Sequence, residues 1–122
     1  MLKTIHRELH DHIAGLGLPV HPADAVPDHA VFPYLTLAIE APLNSAKPGH
    51  VTLTLWYHSD AAHADRLTYG DQLLTLLPPR GFWLDTGYET LVLTPEKPAQ
   101  SLQEKTALGL RITWTLARHP HA

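Results

Sequence analysis

The chain has 122 residues, 44% of them hydrophobic, and a formal net charge of −3 from nine basic and twelve acidic residues. That length fits a single domain, 1–122, which can bury roughly two-thirds of its unfolded surface and fold without staples. There is no cysteine, which excludes disulfides and thiolate metal sites; there is no basic block for sequence-specific nucleic-acid binding, and no apolar run near the roughly 20 residues of a membrane helix.

At the N-terminus, "MLKTIHRELHDHI" carries acids and histidines where a signal peptide needs an apolar run. This points to a soluble protein assembled in the cytoplasm. Leu2, Ile5, Leu9, Ile13 and Leu16 recur at three- and four-residue spacing, one stripe of an amphipathic helix over about 2–15. Lys3, Arg7 and Asp11 take the solvated side. Gly15, Gly17 and Pro19 stop it. The following "LPVHPADAVPDHAVFP" is a connector whose prolines forbid regular helix, with at best a short extended piece around 18–21.

"YLTLAIEA" alternates as a strand, with Leu35, Leu37 and Ile39 on one face. "PLNSAKPGH" is long for a hairpin turn and is expected to project, carrying Asn44, Lys47 and His50. A second strand follows over about 50–57, antiparallel to the first. Its apolar face is Val51, Leu53 and Leu55, and its other face is Thr52, Thr54 and Trp56. Ser59 or Asp60 is a good N-cap for a second helix over 61–77, weakened by Gly70 and ended by Pro78 and Pro79.

Phe82 to Leu84 is a short piece, "DTG" is a turn, and Glu89 to Thr94 is a third strand. A second polar loop over 95–106 holds Lys97, Gln100, Gln103 and Lys105. The last strand spans 107–117, with Leu108, Leu110, Ile112, Trp114 and Leu116 facing inward and Gly109, Arg111, Thr113 and Thr115 outward. The tail "RHPHA" reads as peripheral. The expected fold is α+β: a mainly antiparallel four-stranded sheet in the order α-β-β-α-β-β, with both helices on one face. The second face, with Thr54, Trp56, Arg111 and Thr113, is then left for water or another protein.

No catalytic motif is evident, and no cofactor is implied. His6 and His10 have the four-residue spacing of a two-histidine metal site, but "HRELH" is not HExxH and the third ligand is missing. Ser59, Asp60 and the histidines around them lack the elbow of an activated serine. "DTG" alone is a turn tripeptide. Trp56 and Trp83 suit an interface or a peptide- or carbohydrate-binding surface, and the alternative for Trp56 is that the first helix or the connector covers it.

The layout resembles the tail terminator, or tail completion, proteins of long-tailed bacteriophages. The resemblance rests on the N-terminal helix, the connector ending in "VFPYLTL", the strand entering "WYHSDAAHADRL", and the final "ETLVLTPE" and "LGLRITWTL". "FPY" and "RITW" carry most of it. The chain departs from the family in its proline-rich segment before the last strand and in its ten histidines. The resemblance implies a homo-oligomeric ring, usually a hexamer, located at the virion neck. The ring would cap the tail tube, end its polymerisation and bind the head–tail connector, with DNA passing through its lumen. Its partners would be the tail tube protein and the connector. Another head–tail joining protein, an adaptor or stopper, is the neighbouring alternative.

Overall fold

A computed structural model describes residues 2–40, 48–58, 67, 68, 70, 71, 75, 80–96, 100–104 and 107–121. The chain opens with α1 (Leu2–Ile13), tightens into a 3-10 turn at Ala14–Leu16, and ends at Gly17 in the left-handed conformation (φ 76°). Gly17 N–H returns to Ala14 O at 3.0 Å, the closure that a C-terminal glycine permits. Seven strands follow among the described residues: β1 (Val20–Pro22), β2 (Tyr34–Glu40), β3 (Gly49–His58), β4 (Phe82–Asp85), β5 (Glu89–Pro95), β6 (Gln100–Glu104) and β7 (Ala107–Pro120).

They form one mixed sheet in the order β1-β2-β3-β7-β5-β4, with β6 also paired to β7. The α+β expectation of four strands under two helices is therefore corrected: strands make up more than half of the described residues, and one helix is delimited among them. Three short strands make the difference. The extended piece of the connector becomes β1, parallel to β2 because the 23–33 crossover returns the chain in the same direction. The piece at Phe82 becomes β4 on the outer edge of β5. The second polar loop contains β6.

The last of these follows from the length of β7. β5 pairs with the second half of β7 and runs out at Pro95, opposite Trp114. Beyond it the first half of β7 still offers a row of backbone groups, and Gln100–Glu104 pair with Arg111–Ala107. The paired positions sum to 209 for β5 and to 211 for β6, so β6 pairs with β7 in a register shifted by two from that of β5. Glu96 N–H still reaches Thr113 O at 3.1 Å.

The core lies on one face. Ile5, Leu9 and Ile13 of α1 pack against Leu35, Leu53, Leu93 and Trp114 of the sheet. Each buried side chain of this size stabilises by roughly 1.5–3 kcal/mol. Phe82 meets Trp114 edge to face at 5.9 Å. Of the expected second helix, Leu67, Thr68, Gly70, Asp71 and Thr75 are described and are helical. A Cβ at Gly70 would stand 3.9 Å from Leu110, so Gly70 lies over the core side of β7. The rest of that helix and its cap lie outside the described residues. No helix among the described residues is long and apolar enough to cross a membrane.

The "RHPHA" tail is corrected too. β7 runs on to Pro120, and Arg118 and Glu89 form a buried ion pair on the core face.

Candidate functional site

Strand alternation carries a second set of side chains to the other face. Register places them in rows: Thr36 beside Thr54 beside Arg111 beside Gln100, and Tyr34 beside Trp56 beside Gly109. Thr52 stands next to Thr113 in the neighbouring row. The rows make the floor of an open groove of about 600 Å³. Ala23 and Val26, from the segment after β1, form part of its wall.

Trp56 shapes the groove. Its indole lies over the Gly109 backbone, where an added Cβ would stand 3.0 Å from Cζ3 and 3.1 Å from Cε3. Any side chain at position 109 would lift the ring. The indole Nε1–H donates to Thr36 Oγ1 at 3.1 Å, and both residues are buried. Thr54 is buried beside them. The indole is thus a fixed, hydrogen-bonded wall and not an exposed platform.

Arg111 supplies the charge. Its Nε is buried and has no hydrogen-bond partner among the described residues. No acidic side chain lines the groove among the described residues. A desolvated guanidinium N–H without a partner is costly, and a carboxylate satisfies it best. Threonine hydroxyls at 36, 52 and 54 add donors and acceptors around it. No histidine or carboxylate lies among the described lining residues to serve as a general base.

The four predicted second-face residues are placed as follows. Thr54, Trp56 and Arg111 converge on the groove. Thr113 lies on the same face, one row further along. The loop residues divide. His50 is not in a loop: it lies in β3 between Glu40 and Thr115, and its Nδ1 is 2.9 Å from Glu96 Oε2. Gln100 and Gln103 are not in a loop either, but in β6, with Gln100 directly opposite Arg111 and Gln103 opposite Leu108. Asn44, Lys47, Lys97 and Lys105 lie outside the described residues.

His6 and His10 stack with centroids 6.3 Å apart, as their helical spacing requires. No group of three or more metal-ligating side chains lies together among the described residues. Trp83 is 74% exposed on β4, with β7 and β5 between it and Trp56, so the two indoles do not form one surface. Its neighbours at the β4–β5 turn are Asp85 and the 71% exposed Tyr88.

The groove's wall from the segment after β1 was not legible beforehand, because nothing local in "PADAV" says which sheet face it will border. Comparison of the chain with protein-family models, with curated proteins and with solved structures finds no match.

Proposed function

We propose that this protein is a structural component of a long-tailed bacteriophage: a tail terminator that assembles as a ring on the tail tube, ends its growth and joins it to the head connector. The observation that carries this reading is the second sheet face. A buried indole, threonine hydroxyls and the Arg111 side chain line an open groove on rigid strands. Such a surface is built to receive another molecule, and among the described residues that line it no nucleophile is paired with a base. α1 packs on the opposite face and leaves this one for assembly.

The sheet edges support the same reading. β1 has three residues and β4 has four, so both edges are short, which suits strands kept from indiscriminate pairing. The net charge of −3 suits a lumen through which DNA slides without sticking.

The test is mass photometry and negative-stain imaging of the purified protein with and without tail tubes. The expected result is a ring, free or seated at a tube end, and tubes that stop growing once it is added. A protein that stays monomeric and leaves tube growth unaltered overturns the reading. A ring that binds the head connector but ignores tube ends assigns the chain to the adaptor or stopper role.

A further inference from the structure

We propose that the groove around Arg111 is the acceptor half of a head-to-tail contact between copies of this chain, and that the β4–β5 turn, with Trp83, Asp85 and Tyr88, is the donor half. This rests on the ring reading and specifies its interface. Three observations carry it.

The first is charge. Arg111 lines the groove, and no acidic side chain lines it among the described residues. The groove therefore selects a carboxylate. Asp85 presents one, 68% exposed. Its recorded contacts, from Gly87 N–H at 2.8 Å and to His121 Nε2 at 3.8 Å, both use Oδ1. The turn is thereby fixed while its carboxylate faces outward.

The second is apolar area. Trp83 and Tyr88, 74% and 71% exposed, flank that carboxylate. Trp83 and Asp85 are two residues apart on one strand and so share a face. Aromatic side chains around a charge are the composition of an interface centre. A volume of about 600 Å³ is in the range of sites that take such groups.

The third is position. The groove lies on β2, β3 and the first half of β7, whereas the turn lies at the β4 end of the sheet. Two complementary patches at different places on one molecule make a heterologous contact, which forms a ring when the rotation between neighbouring copies closes. A two-fold dimer would need one patch to match itself.

The experiment uses the full chain. Arg111→Glu spoils the groove and leaves the turn, and Asp85→Arg does the reverse. Circular dichroism and thermal unfolding check that each variant is folded. By mass photometry on tube ends, wild type is expected as the ring and each single variant is expected to lose it. Mixing the two variants is expected to restore a ring of alternating subunits, because every groove then meets a turn of opposite charge. Combining Arg111→Glu with Asp85→Arg in one chain is expected to restore the ring.

Because Arg111→Glu could fail to fold, a second measurement uses the cysteine-free background. Tyr88→Cys and Ala38→Cys, on the turn and on the groove wall, are placed in separate chains and mixed. A short bis-maleimide is expected to link Tyr88→Cys to Ala38→Cys in preference to either with itself. If wild type forms rings and both charge variants form them equally well, or no such cross-link appears, the docking proposal fails and the ring reading stands. If wild type forms no ring with tubes, both fail.

Discussion

Arg118 Nε donates to both carboxylate oxygens of Glu89, at 3.1 and 3.3 Å, across the β5–β7 pairing. The two side chains are 6% and 2% exposed. Glu89 is also the end of the 86–89 turn. Its carbonyl accepts from Thr86 N–H at 2.9 Å and from Thr86 Oγ1–H at 3.1 Å.

Removing one partner strands the other charge in the interior. Glu89→Leu and Arg118→Met are each expected to cost about 3–5 kcal/mol. The double variant Glu89→Leu with Arg118→Met is expected to cost less than either alone. Urea denaturation of the four proteins measures the coupling. Additive losses would show that the pair contributes nothing jointly.

Gly81 and Gly87 both have positive φ, 96° and 90°, but their surroundings differ. A Cβ at Gly87 meets nothing within 4 Å, so Gly87→Ala should cost about 1–2 kcal/mol, the left-handed penalty alone. A Cβ at Gly81 would lie 2.5 Å from the Leu93 carbonyl oxygen. Gly81→Ala must push β4 off β5 and is expected to cost at least about 3 kcal/mol. Thermal unfolding of both variants checks the order, and equal losses would refute it.

Gly109→Ala tests the wall of the groove. Its methyl would press on the Trp56 ring and on Thr54 Cγ2, 3.2 Å away. The expected cost is about 1–3 kcal/mol, with the Trp56–Thr36 hydrogen bond broken. Red-shifted tryptophan emission, abolished in a Trp56→Phe background, is the readout. An unchanged spectrum would mean that the indole does not rest on the backbone there.

Trp114 is 1% exposed, and its Nε1 has no hydrogen-bond partner among the described residues. Trp114→Ala is expected to cost about 3–5 kcal/mol through the cavity it leaves. Trp114→Phe removes the unpartnered donor along with part of the ring. It should therefore cost less than half as much in the same denaturation series. A loss as large as that of the alanine variant would mean that the N–H is satisfied in solution.

Sequence patterning alone determined α1 and the central strands. A 3.6-residue stripe and a two-residue alternation are local properties, and Leu35 to Ile39, Val51 to Leu55 and Leu108 to Leu116 display them without help from distant residues. The same alternation was enough to put Thr54, Trp56, Arg111 and Thr113 on one face. Carried further, it also held the signal for the buried ion pair. Glu89 keeps the inward parity of Leu91 and Leu93, and Arg118 that of Trp114 and Leu116.

What local pattern could not carry was decided by tertiary pairing. β6, "QSLQE", has one apolar residue and no alternation of its own. It is a strand because β7 outruns β5 and its backbone groups need partners. The three residues of β1 are a strand because β2 lies beside them. Arg118 is buried because Glu89, 29 positions away, arrives at the adjacent strand in the right register. The groove exists because register brings Arg111 beside Thr54 and Trp56 over Gly109. Side-chain periodicity is written into the chain one residue at a time, whereas register and edge pairing depend on which strands meet, and that is settled only when the sheet assembles.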